Sequence, residues 1–437
     1  MTDADPGVEV LAHGLGGSTD LPIPFTYTVI GASWALSFSF AILVFAWRTP
    51  RLRDDTPGKP LPGWVQAAVN STVLRRVLGG FGLAFTLWVL AAGAFGPAKS
   101  SQNALPGTFY VLLWVGLVAL SLLFGPVWKL ISPVRALRPP ATGRAPYREG
   151  WGYWPAVAGL FAFVWMELAS PDPGSVRAIL WWCGIYLVIT VAGAFTFGLR
   201  WCERADPFEV YSTLVSRLSP VGRGDKPGTW VLRNPLNNLQ ATEIRAGSVA
   251  LTATLLGSTA FDSFSARPGF QRFLDSTADS AFAATALRTA SLLAMITFVG
   301  ATFWIATRAV PGLSAEQRRA LPGLLSPSLV PIIVGYVFAH YISYLAEKGQ
   351  SAVLLLLDPF GRGWVHGDVN YFLSTHPSLL AVLKVLFVLA GHVLGVIAAH
   401  DRSLRVLPAK HQLTGQLPLF AVMVLYTCGG LYLLFGG

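Results

Sequence analysis

Apolar residues in this chain gather in long blocks rather than alternating with polar ones. Windows of about 19 residues resolve roughly ten such stretches. They fall near 27–47, 78–95, 108–131, 153–169, 178–198, 247–264, 289–307, 328–346, 379–399 and 417–435. Each is close to the roughly 20 residues a helix needs to cross the hydrocarbon at about 1.5 Å rise per residue. A lipid-exposed backbone must satisfy its own hydrogen bonds, so the pattern predicts helices. The expected fold is all-α: a polytopic transmembrane helical bundle of about ten spans, with a single transmembrane domain over 27–435 behind an extracytoplasmic N-terminal segment, 1–26. The fourth and sixth stretches are the weakest. The fourth is short and ends at Glu167, and the sixth contains Thr252, Thr254, Ser258, Thr259 and Asp262.

Charge gives the blocks a direction. Most of the 32 lysines and arginines fall in the loops 48–77, 129–152, 199–246, 308–327 and 400–416. Under the ten-span reading these loops share one side, and positive loops remain cytoplasmic, so both termini are expected outside. The acids do not sort, as expected from their small part in that rule. Only 12% of the 437 residues are charged and 53% are hydrophobic, against about a quarter charged in a soluble domain. The net charge of +10 sits in short loops between apolar blocks, a placement that suits anionic headgroups rather than nucleic acid. The expected setting is therefore a lipid bilayer. Met1 to Val10 carries Asp3, Asp5 and Glu9 without a basic residue, so no secretory leader is expected there. Cys183, Cys202 and Cys428 are too far apart for a ligand pair and read as isolated thiols.

Within 199–246, Asp206-Pro207-Phe208 has the form of a helix start, with proline in the first turn. Phe208, Tyr211, Leu214, Val215 and Leu218 then repeat at helical spacing. This predicts a short helix lying on the inner leaflet; the alternative is a loop helix packed on the bundle. Ten spans divided five and five would give the inverted repeats of a transporter, but the two halves share no visible self-similarity.

No Walker A loop, H-E-x-x-H or G-x-S-x-G is present. The chemistry must then come from ionisable residues at membrane depth, each costing at least about 2.5–3.5 kcal/mol to insert if charged. Histidine costs less because it can be neutral near pH 7. His392 lies midway through the ninth stretch, in Gly391-His392-Val-Leu-Gly395, where the glycines invite a close neighbouring helix. A packing hydrogen bond across helices is its alternative role. His340, Tyr344 and Glu347 have i, i+4, i+7 spacing and are predicted to share a helix face, with an interfacial stripe as the alternative. Asp262 and Glu167 close the sixth and fourth stretches at the outer end. The segment 347–378 carries Gln350, Asp358-Pro-Phe-Gly361, Trp364, His366, Asp368 and His376 and reads as a lid. His13, within His13-Gly-Leu-Gly16-Gly17, belongs to a stretch of glycines and prolines that reads as a folded-back plug. His400-Asp401-Arg402 reads as a structural cap at the inner end.

His13-Gly-Leu-Gly and Asp20-Leu-Pro-Ile-Pro, with Ala339-His340-Tyr341, Glu347, Gln350, Asp358-Pro-Phe-Gly-Arg-Gly-Trp364 and Gly391-His392-Val through Arg402, resemble bacterial multi-spanning proteins of the fenitrothion hydrolase-like group. The resemblance implies hydrolysis of an organophosphate-type triester at the membrane. Three readings are open. The first is a metal-assisted hydrolase of a small-molecule ester with an outward pocket: a divalent transition metal held by His13, His340 and His392, and Asp262 or Glu347 as the general base. The second is a proton- or ion-coupled transporter using Glu167, Asp262, His340 and His392. The third is an assembly factor that handles copper or haem.

Overall fold

The computed structural model describes residues 20–436 apart from Asp225 and Pro227. His13 and most of the expected N-terminal plug lie outside the described residues. Helices dominate: α1 (Phe25–Ala46), α2 (Thr72–Phe95), α3 (Ala104–Phe124), α4 (Trp154–Leu168), α5 (Val176–Phe197), α6 (Leu199–Ala205), α7 (Pro207–Val215), α8 (Ser248–Ser265), α9 (Ala281–Arg308), α10 (Ala315–Leu357), α11 (Pro377–Val406) and α12 (Leu417–Phe435). Eight helical segments are long and apolar enough to cross a membrane. The two weak stretches became α4, of 15 residues, and α8, of 18, which do not meet that standard. Both are packed inside the bundle. Thirteen positions of α8 are buried, including Thr252, Thr254, Ser258, Thr259, Asp262 and Ser263, which explains why its hydropathy is low although its environment is protein.

The outer helices expose stripes of large apolar side chains. On α5 these are Trp181, Ile185, Val188 and Ile189; on α1 they are Trp34, Phe38, Ile42 and Phe45. Apolar bands of this extent are not left to water and suit acyl chains. The chain is a multi-pass membrane protein in a bilayer. At the centre stands α10: 83% of its most apolar window is buried, against 22% for α1, α5 and α9.

The basic loops meet at one end of the bundle. Arg51 and Leu52 donate backbone N–H bonds to Asp401 (2.6 and 3.1 Å), Arg402 donates to Gln240 (2.9 Å), and Arg204 donates to Glu149 (2.8 Å). A Cβ on Gly312 would meet His411 at 2.5 Å. A small antiparallel sheet of β1 (Lys59–Pro60), β2 (Val221–Arg223) and β3 (Trp230–Leu232), ordered β1-β3-β2, joins two of these loops. From this basic end α4 starts against Gly247 and leads towards the far end. There Tyr110 donates to the Pro173 carbonyl at the entry to α5 (2.8 Å).

The helix predicted on the inner leaflet, α7, lies elsewhere. All its residues except Thr213 are buried, so it packs within the bundle and has no lipid-facing side. Its amphipathic spacing was misleading because the neighbouring helices supply partners for the polar face too. Arg135 makes two 2.6 Å bonds to fully buried Glu209. Asp206 caps the helix, accepting from the N–H groups of Phe208 and Glu209 and from Trp128 and Tyr186 (each 3.0 Å from the side chains).

Candidate functional site

In the half of the bundle away from the basic loops, α8 and α10 bring together the acid and histidine with the strongest geometric case for chemistry. Asp262 sits one turn before the end of α8, and His340 lies within α10. His340 Nε2 is 2.9 Å from Asp262 Oδ2, and the Tyr341 hydroxyl donates to the same oxygen at 2.6 Å. On the other side of the ring, Nδ1 is 3.0 Å from Ser263 Oγ, which also accepts from the Tyr336 hydroxyl at 3.4 Å. All five side chains are buried, His340 to 1% exposure. Glu167, also buried, lies within Coulomb range of Tyr110, Tyr211, Tyr341 and Tyr344, so Tyr341 faces both carboxylates.

This network accommodates two protonation states without moving a helix. With neutral imidazole, Nε2–H donates to Asp262, Nδ1 accepts the Ser263 proton, and Ser263 accepts from Tyr336. With imidazolium, Nδ1–H donates to Ser263 Oγ, whose own proton turns to the Thr259 carbonyl 3.5 Å away. Every donor retains an acceptor in both states, the condition under which a buried polar network is tolerated. A Ser–His–Asp set also suggests nucleophilic catalysis. Here, however, Ser263 is completely buried within a helix, so an ester has no approach to its Oγ in this conformation.

The predicted stripe His340–Tyr344–Glu347 does not hold together. Tyr344–Lys348 forms a π-helical turn, which adds a residue to the turn and rotates the remainder of the helix. Tyr344 stays within Coulomb range of Asp262 and Glu167. Glu347 instead accepts from Ser374 N–H (2.8 Å) and Ser374 Oγ (2.6 Å), fastening the 358–376 segment over the end of α10. Gln350 adds a second fastening, accepting from Asn370 N–H at 3.0 Å and donating to its carbonyl at 3.2 Å. Asp358 folds the segment's start by accepting from the N–H groups of Arg362, Gly363 and Trp364. Desolvation pushes the Asp358 carboxyl up, but these three N–H groups, with His366 beside them, outweigh it and hold it below its ordinary value. Of the 347–378 stretch expected to be a lid, residues up to Leu357 continue the helix, and the irregular part runs from 358 to 376.

His392 is buried in α11, its Nδ1–H donating to the Val388 carbonyl at 2.8 Å, while Nε2 has no hydrogen-bond partner among the described residues. Gly391 and Gly395 do admit the close approach of α10. A Cβ at Gly391 would lie 2.7 Å from the Pro331 carbonyl oxygen, and one at Gly395 would lie 2.9 Å from Ile332. Among the described residues, no three His, Cys, Asp or Glu side chains gather as a metal site. Of the expected ligands, His340 is engaged by Asp262 and Ser263, His392 stands apart from it, and His13 is not described. Among the described residues, the expected donors do not come together as a set of three. His400-Asp401-Arg402 does not cap the helix, which runs on to Val406; instead His400 bridges Gln416 and the Trp47 carbonyl, and Asp401 accepts from Trp47, Arg51, Leu52 and Arg405.

The sequence pattern did not reveal Ser263, Tyr336 or the pairing of Asp262 with His340. The only signal for them was the density of hydroxyl residues in the sixth stretch. Nor did it reveal Arg135–Glu209, whose partners come from separate loops. No family model, curated protein or solved structure matches this chain.

Proposed function

We propose that this protein is a proton-coupled membrane carrier in which Asp262 and His340 exchange the coupling proton. One observation carries the reading: the two side chains touch, at 2.9 Å, deep in the bundle and beside a second buried carboxylate, Glu167. Ionisable residues at such depth mark proton and substrate pathways, since an unused charge there is selected against by its insertion cost. Ser263 and Thr259 supply acceptors for a protonated His340 ring, so the pair can take up or release a proton without leaving a buried donor unmatched. Tyr341 links the pair to Glu167 and gives the proton a further station. The hydrolase reading rests on the resemblance and on expected metal ligands of which His340 and His392 do not gather with a third among the described residues. The carrier reading is supported by groups that do.

The topology that fits this function has about ten crossings, with α4 and α8 as short internal ones, the basic loops in the cytoplasm and both termini outside. Asp262, His340 and the 358–376 segment then belong to the outer half.

Infrared difference spectra after a pH jump, taken on the purified protein, test the reading without knowledge of the solute. A carboxyl band that changes with pH should vanish in Asp262→Asn and move in His340→Gln. In proteoliposomes, the same variants should abolish solute-driven proton movement. A wild-type spectrum with no titrating carboxyl that depends on Asp262 would overturn the proposal.

A further inference from the structure

At the basic end, away from the proton pair, a cavity of about 150 Å³ opens between α6, α7, the start of α8 and the Ser326–Pro327 turn. Four cations line it (Lys129, Arg204, Arg217 and Arg245) against two carboxylates, Glu203 and Glu243. Three of the cations have partners. Arg245 pairs with Glu243, Arg204 lies 2.8 Å from Glu149, and Lys129 lies 3.9 Å from Glu209. Arg217 differs. It is half-buried, yet it makes no hydrogen bond, ion pair or ring contact among the described residues. Desolvation lowers its pKa below the ordinary arginine value, outweighing the more distant pull of Tyr153 and Glu243, as expected for a guanidinium removed from water without a counter-charge in contact.

A half-desolvated guanidinium with five unused donors is costly unless a ligand meets it. The side chains around it come from different directions. Val210, Thr213, Leu214 and Arg217 follow one face of α7 and its continuation, Lys129 comes from the turn after α3, and Arg245 from the approach to α8. A planar carboxylate is satisfied by one fork. Cations converging from three sides suit a tetrahedral anion with several oxygens. Thr213 is the one α7 residue not buried, and it faces the cavity one turn before Arg217, where its hydroxyl can donate to the same anion.

We propose that this cavity binds a phosphate group, with Arg217 as its principal ligand and Lys129, Arg245 and Thr213 completing the shell. Two sources share that chemistry: the headgroup of an anionic phospholipid in the adjoining leaflet and a soluble phosphate or phosphate ester. The inference does not rest on the proton-carrier reading. Asp262→Asn should leave phosphate binding unchanged.

Calorimetric titration of the full-length protein in detergent with inorganic phosphate tests the soluble source. Nanodiscs of phosphatidylcholine with or without phosphatidic acid, followed by native mass spectrometry, test the lipid source. Arg217→Gln should weaken phosphate binding by about tenfold or more, as expected when a charged hydrogen bond of about 1.5–3 kcal/mol is lost, and Arg217→Lys should retain part of it. If the lipid is the ligand, phosphatidic acid stays bound to wild type and is lost from Arg217→Gln. Should Arg217→Gln fail to fold, Thr213→Leu fills the cavity one turn away on the same face and should give the same loss. The proposal is overturned if wild type takes up neither phosphate nor phosphatidic acid, or if folded Arg217→Gln and Thr213→Leu bind them as wild type does.

Discussion

Arg135 and Glu209 show what a single buried ion pair does in this protein. Glu209 has no exposed side-chain surface, Arg135 has 18%, and two 2.6 Å bonds join them. The pair fixes α7 to the turn after α3, which in turn presents Lys129 and Arg217 to the phosphate cavity. Burial raises the cost of each charge, and the bidentate geometry offsets it only while both partners are present. Arg135→Ala is therefore expected to cost up to about 3–5 kcal/mol by leaving fully buried Glu209 with only Lys129, 3.9 Å away, as its counter-charge, read as a lower melting temperature in detergent. Arg135→Ala combined with Glu209→Ala should recover part of that loss. No periodicity in the sequence joins residue 135 to residue 209; only the path of the chain does.

Between α10 and α11 the decisive feature is the absence of side chains. Gly335 stands against the Phe387 carbonyl, where a Cβ would come within 2.5 Å, and Gly391 stands against Pro331 and Gly335. Small residues let helix backbones approach in a membrane, where van der Waals packing replaces the hydrophobic drive. This approach was legible in the Gly391-x-x-x-Gly395 spacing, and the partner helix was not. Gly391→Val should force the helices apart and disturb His340 through α10. Loss of thermal stability together with a changed carboxyl band at Asp262 would be the signature, whereas Gly429→Ala, which meets no atom within 4 Å, should leave both unchanged. The π-helical turn at Tyr344–Lys348 is the contrasting case. It breaks the expected His340–Glu347 face, and nothing in the local residue types announces the extra residue in the turn.

At the scale of the whole molecule, the bundle separates two kinds of polar surface. One end collects the arginines and lysines with the phosphate cavity, and the other holds the Asp262–His340 pair and the 358–376 segment fastened to Glu347 and Gln350. Single cysteines in an otherwise cysteine-free protein test this arrangement in intact cells. Positions 55, 226 and 410 should all be shielded from an impermeant thiol reagent, and position 368 should react with it. Labelling of 226 together with 368 would remove both α4 and α8 from the set of crossings, because losing α4 alone exposes 226 but shields 368, and losing α8 alone shields both.

The hydrophobic blocks determined by themselves that the chain is helical and membrane-embedded, because lipid leaves the backbone few alternatives. The clustering of basic residues likewise determined which loops meet. Periodicity could not report how helices face one another inside the bundle. There a buried aspartate on α8 finds histidine and tyrosine on α10, a loop helix is drawn inward by Arg135, and Arg217 is left without a contacting partner beside a cavity. Such pairings join residues dozens of positions apart, and only the folded packing decides them.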